Sequence, residues 1–184
     1  MEGECLDITK GRMAMELQNW GHVFSIEFFI FIHQWPKNWM NVLHFAGTDK
    51  SGPRIPGVWI YKNKHLYVWY MVNDNNRNHN KFKIELETWY HVVIHQIKDA
   101  DSKYWFEIII DGESKWKLEN FIPKTFPSIN FYTSSPWYDS FTYEFGWICW
   151  IKIQHGGNFL IINLYNQIRI ICLTYLIFRT SKVS

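Results

Sequence analysis

Two histidines, His91 and His95, stand four apart in Trp89-Tyr90-His91-Val92-Val93-Ile94-His95. On a helix that spacing chelates zinc. The run is rich in β-branched and aromatic residues, so it reads as a strand, in which positions i and i+4 lie about 13 Å apart. One ion does not reach both, and the pair reads as two polar positions on one strand face. Asp74-x-Asn76-x-Asn78, with Glu85 eleven residues beyond Asp74, imitates the ligand spacing of an EF-hand. His79 fills the sixth position, where the sharp turn needs glycine, and the flanks are strands, which excludes that motif. Oxygen donors on loops still suit a hard cation, so the expectation here is a rim calcium site drawing on Asp49, Asn73 or Asp74. The carboxylate pairs Glu85 with Glu87 and Glu107 with Asp111 each share a strand face. Glycoside hydrolysis with retention needs two carboxyls about 5–5.5 Å apart, but Glu-Leu-Glu at a strand end reads as a solvated face. No Gly-x-Ser-x-Gly elbow, P-loop or Gly-x-Gly-x-x-Gly occurs. The expectation is a protein that is not an enzyme, with a polysaccharide hydrolase as the least favoured alternative.

The aromatic residues are a different resource. Trp35, Trp39, Trp59, Trp69, Trp116 and Trp137 lie at strand ends, in loops, or on runs apolar on both faces. A flat ring with a polar edge serves core packing and also sugar or protein contact. Loop positions are the better candidates, since Pro36 and Pro136 stiffen Trp35, Trp39, Trp137 and Tyr138. With polar loop residues added, the candidate contact set is Trp35, Trp39, Arg54, Asn73, Asp74, Arg77, Trp137 and Tyr138.

The elements that must hold these residues are strands. Candidates are Met13–Leu17, Val23–His33, Asn41–Phe45, Val58–Tyr61, Leu66–Val72, Phe82–Leu86, Tyr90–Ile97, Tyr104–Ile110, Ser114–Glu119, Ile129–Tyr132 and Gly146–Gln154. Turn chemistry separates them, and Asp111-Gly112 is the strongest hairpin signal because both residues tolerate positive φ. The Asn-rich segment Asn73 to Asn80 reads as a surface loop. No helical period runs for three turns before residue 155, and no internal repeat suggests a propeller or solenoid. Short strands at this spacing predict an all-β sandwich or barrel.

Composition agrees. Eleven Trp, ten Tyr and fourteen Phe make up 19% of 184 residues, which excludes bulk disorder. A formal charge of +2 gives no dominating basic field, so nucleic acid is not an expected partner. Residues 155–184 carry Arg169, Arg179 and Lys182 and no acid. Their apolar run is interrupted centrally by Asn163, Asn166, Gln167 and Arg169, which disfavours membrane association through this tail and favours a packed or attached segment. The division expected is a body over 1–154 and an apolar, basic tail over 155–184. Three cysteines are too few for a disulfide framework or a zinc cluster. Three reduced thiols and a single bond both remain open. The acidic start Met1-Glu2-Gly3-Glu4 has no apolar stretch after it, so no signal peptide is read and a cytosolic location stands as one alternative.

Phe24-Ser25-Ile26-Glu27-Phe28-Phe29-Ile30, Leu86-Glu87-Thr88-Trp89-Tyr90-His91-Val92-Val93-Ile94, Phe106-Glu107-Ile108-Ile109-Ile110-Asp111-Gly112 and Phe145-Gly146-Trp147-Ile148-Cys149-Trp150-Ile151-Lys152-Ile153 occur in this order. Together they resemble the strands of concanavalin A-like lectin/glucanase domains, including the laminin-G and pentraxin groups, over about residues 5–154. The resemblance implies a two-sheet antiparallel jelly-roll sandwich, here with a C-terminal apolar extension. It implies that the first and last strands meet, so that a Cys5–Cys149 disulfide is conceivable. It also implies binding at rim loops or on the concave sheet, often with calcium. The Glu-x-Asp-x-x-Glu of the glucanase members is missing, which implies a non-catalytic member. The expected function is recognition of a glycan or a protein partner in an extracellular or cell-surface setting. The alternative is a structural or adhesion domain of a larger extracellular assembly.

Overall fold

The computed structural model describes Cys5 and residues 13–47, 54–135, 137, 139–156 and 158–162. The described residues form thirteen strands: β1 (Met13–Trp20), β2 (Phe24–Ile32), β3 (Met40–Ala46), β4 (Arg54–Tyr61), β5 (His65–Val72), β6 (Asn75–Lys83), β7 (Trp89–Lys98), β8 (Tyr104–Ile110), β9 (Glu113–Glu119), β10 (Phe126–Tyr132), β11 (Asp139–Ser140), β12 (Gly146–His155) and β13 (Asn158–Ile162). No helix occurs among the described residues. One sheet runs β1-β10-β3-β4-β5-β6, with the short β11 beside β3, and the other runs β13-β12-β2-β7-β8-β9. Every pairing is antiparallel except β11 with β3. The architecture is the expected two-sheet sandwich.

The core follows from the period of two. Strand β2 alternates without a break, burying Phe24, Ile26, Phe28, Ile30 and Ile32 and turning Ser25, Glu27, Phe29 and Phe31 outward. Val92, Ile94, Phe106, Ile108, Ile148, Ile151 and Ile153 complete that layer. Leu43, Phe45, Val58, Ile60, Leu66, Val68, Tyr70, Ile129 and Phe131 face it from the other sheet. Removing one such ring, as in Phe28→Ala, costs about 3–5 kcal/mol at a fully buried site.

Turn chemistry sets the registers. Asp111 and Gly112, at φ 53° and 78°, join β8 to β9 as expected. Asn73 and Asp74, at φ 54° and 58°, make a second two-residue connection of the same left-handed kind between β5 and β6. Here the structure corrects the sequence reading. The Asn-rich segment is not a loop but most of β6, an edge strand paired to β5 from Val72↔Asn75 to His65↔Lys83. A polar edge strand buries little on either face, so hydrophobic alternation does not mark it.

Cys5 lies against β12 and is bonded to Cys149 across a sequence separation of 144. The six-stranded sheet continues past residue 154 through β13, which pairs with β12 from His155↔Asn158 to Ile151↔Ile162. The rest of the tail, with Cys172, Arg169, Arg179 and Lys182, lies outside the described residues.

Candidate functional site

The outward positions of β4 and β5 carry the site. On β4, Gly57, Trp59 and Tyr61 alternate outward; on β5, His65, Tyr67 and Trp69 do the same, in the registers Trp59↔Tyr67 and Gly57↔Trp69. Gly57 is what lets Trp59 lie flat. A Cβ built on Gly57 would fall 2.3 Å from the Trp59 ring, so the indole occupies the space that any other side chain would take. The guanidinium of Arg54 sits 5.4 Å from the centroid of Trp59 and 4.9 Å from that of Trp69, within cation–π range of both. Trp39, from the β2–β3 connection, stacks on Tyr61 at 4.6 Å and meets Tyr67 edge-on at 4.6 Å. Trp39, Arg54, Trp59 and Trp69 together wall a groove of about 210 Å³.

Beneath and beside it the rings continue. Trp69 stacks on His79 of β6 at 4.2 Å. His44, 3% exposed, packs edge-on against Trp59, Tyr132 and Trp137. Burial first, and the Arg54 charge second, push its pKa down to about 4, so at neutral pH the imidazole packed against Trp59 is uncharged. Asn41 fixes the segment that carries Trp137. Its side-chain amide donates to the Leu43 and Val58 carbonyls, and its Oδ1 accepts from the Ser135 N–H at 2.7 Å.

The structure distributes the sequence candidates over several places. Trp39 and Arg54 line the groove, and Trp137 stands beside it against His44. Trp35 belongs to a separate pocket of about 280 Å³ with Lys37, Met40, Asp139 and Phe145. Arg77 is exposed on β6. Tyr138 and Asp49 lie outside the described residues. Asn73 and Asp74 are at the far hairpin and hold structure. The Asn73 backbone N–H donates to Asn120 Oδ1, its amide donates to the Glu119 carbonyl, and its Oδ1 accepts from the Phe121 N–H at 2.7 Å. Asp74 accepts from Lys124. Among the described residues no cluster of three or more His, Cys, Asp or Glu side chains is placed to hold a metal.

Trp59 and Trp69 line the groove but were not in the contact set read from the sequence. Their signal was available: a glycine two positions before Trp59, and Tyr67 and Trp69 alternating on one face opposite it.

On the other sheet the outer face is built of satisfied pairs. His91 Nε2 and Lys152 Nζ each lie 3.0 Å from Glu27 Oε1, and His95 Nε2 lies 3.0 Å from Glu107 Oε2. Burial raises the pKa of both carboxyls. The hydrogen bonds of Lys152 and His91 to Glu27, and of Ser114 and His95 to Glu107, outweigh that and leave both below the ordinary value. The two histidines thus serve different carboxylates. Glu107 and Asp111 are likewise engaged separately, Asp111 Oδ1 accepting from the His91 backbone N–H.

No protein-family model and no curated protein matches the sequence. Solved structures do match by shape. The sialidase of Trypanosoma rangeli aligns with a TM-score of 0.53 at 15% identity, over 83% of this chain and 29% of the sialidase. The SAP-like pentraxin of Limulus polyphemus gives 0.51 at 11% identity, over 81% of this chain and 73% of the pentraxin. The receptor-binding domain of botulinum neurotoxin mosaic serotype C/D gives 0.50 at 15% identity, over 83% and 41%. The chain thus spans well under half the length of the sialidase and of the toxin domain. At these identities the likeness is one of fold: the chain is a concanavalin A-like β-sandwich of jelly-roll type, an architecture shared by binding domains and by enzymes alike.

Proposed function

We propose that this chain is a non-catalytic glycan-binding module whose contact surface is the outer face of the seven-stranded sheet. The observation that carries the reading is the groove of about 210 Å³ walled by Trp39, Trp59 and Trp69, with the Arg54 guanidinium set against two of the three rings. Sugar rings present C–H faces that lie on indoles, and hydroxyls that accept from a guanidinium. Among the described residues no carboxylate lines the groove, whereas the usual hydrolysis of a glycosidic bond needs a pair. The Cys5–Cys149 bond supports an extracellular or cell-surface setting, because disulfides persist under oxidising conditions.

Titration calorimetry against an oligosaccharide panel, with calcium and with chelator, tests the reading. Trp69 is half-buried and its ring is not part of the core, so Trp69→Ala is expected to weaken binding about 10- to 30-fold, or ~1.4–2 kcal/mol, with the fold intact. Gly57→Ala, which displaces the Trp59 ring, is expected to match it. Unchanged affinity in both variants would remove the groove as the site. Loss of binding in chelator alone would restore the calcium rim.

One observation favours the adhesion alternative. Phe31, His33, Trp89 and Trp147 form a second aromatic strip on the outer face of the six-stranded sheet, with Trp147 39% exposed. Trp147→Ala serves as the control that leaves glycan affinity unchanged.

A further inference from the structure

Resting on the groove as a glycan site, we infer that its ligand is an acidic polysaccharide, one bearing carboxylate or sulfate groups. Strand β6 runs beside the Trp69 wall of the groove, and its alternate residues Arg77, His79, Lys81 and Lys83 are all exposed. His79 stacks on Trp69, which puts that row on the groove's face. The register sets Lys81 opposite Tyr67 and Lys83 opposite His65, one strand spacing of about 4.8 Å away. Arg54 closes one side of the groove, and Lys62, 5.6 Å from the Tyr61 centroid, stands near Trp39.

Among the described residues, the carboxylates near this row pair with Lys83 alone of its members. Glu85 is paired with Lys83 at 3.4 Å, and Asp74 with Lys124 at the far turn. Asp139 lies beyond Met40 with the Trp35 pocket. Glu16 is on β1, separated from β5 by β10, β3 and β4. The opposite sheet contrasts sharply, because its Lys152 and Lys117 lie against Glu27 and Glu107. A whole-chain charge of only +2 thus conceals a local surface in which cations border an aromatic floor. Such a border attracts an anionic chain, while the rings give its sugars a platform. The attraction is screened by salt, whereas contact with the rings is not.

The test uses the full chain and three hexasaccharides: a polygalacturonate, a sulfated glycosaminoglycan and a neutral β-glucan. At about 50 mM salt the acidic hexamers are expected to bind at least 10-fold more tightly than the neutral one. That advantage is expected to shrink several-fold at about 500 mM. An Arg77→Gln, Lys81→Gln double variant is expected to lower acidic affinity about 10-fold and leave neutral affinity unchanged. Preference between the polygalacturonate and the sulfated arm tells which anion the row receives. Equal, salt-insensitive binding of acidic and neutral hexamers overturns the acidic ligand and leaves the groove standing as a glycan site. Silence on all three overturns the groove reading itself. If the tryptophan fluorescence changes with protein concentration rather than with glycan, a second copy of the chain covers the face and the acidic ligand falls.

Discussion

His44 shows how much the groove's construction asks of one side chain. Its imidazole is enclosed by three aromatic rings, and its pKa is pushed down to about 4 by burial and then by the Arg54 charge. Between that value and the ordinary 6.5 the unfolded chain takes up a proton that the folded chain refuses. Stability therefore falls as pH drops through this window and is fully present above it. The span corresponds to about 3 kcal/mol. Urea midpoints measured from pH 7.5 to pH 4 are expected to record that loss, and His44→Gln is expected to flatten most of the slope. His155, whose pKa burial also lowers, supplies a remainder of the same sign. The depressed carboxyls of Glu27 and Glu107 act lower on the scale, losing their contribution as pH falls through their own lowered values.

At the scale of elements, the β5–β6 hairpin matters most, because it brings the basic row to the aromatic face. Asn73 ties the turn of that hairpin to the end of β9 through three hydrogen bonds, so it joins one sheet to the other. Asn73→Gly keeps the left-handed backbone and deletes the two bonds made by the side chain. It is expected to cost about 1–2 kcal/mol, read as a shift of the urea midpoint without a change in slope. Asn73→Ala is expected to cost more, since it adds a Cβ at φ 54°. The same hairpin marks the limit of sequence reading. Strands β2, β7, β8 and β12 were legible because Val, Ile and Phe alternate there against turn residues. The stretch 75–81, the part of β6 before the candidate strand Phe82–Leu86, was not, because its neighbour β5 supplies the partner and solvent takes much of the rest. The site divided in the same way. Trp39 and Arg54 were reached through residue chemistry. Trp59 and Trp69 sit on strands buried over most of their length, where an indole reads as core until the register shows which face it occupies.

Across the whole molecule, the Cys5–Cys149 bond closes a loop of 144 residues around nearly all of the sandwich. By the chain-entropy argument a closure of that length stabilises by roughly 4–5 kcal/mol, with 2–5 kcal/mol typical when such bonds are removed. Thermal unfolding in a strong thiol reductant is expected to lower Tm by roughly 10 °C for a chain of this size. Cys5→Ser is expected to start at that lower value and to ignore the reductant. An unchanged Tm on reduction would show that the sheet pairings alone hold β12 in place.

The same covalent link governs how the molecule carries mechanical load. Tension entering the chain before Cys5 and leaving it after Cys149 crosses two sulfur atoms and bypasses the strands between them. Roughly 500 Å of contour is thereby withheld from extension. The face that carries the groove keeps its shape while the ends are pulled, a property suited to gripping something that itself moves.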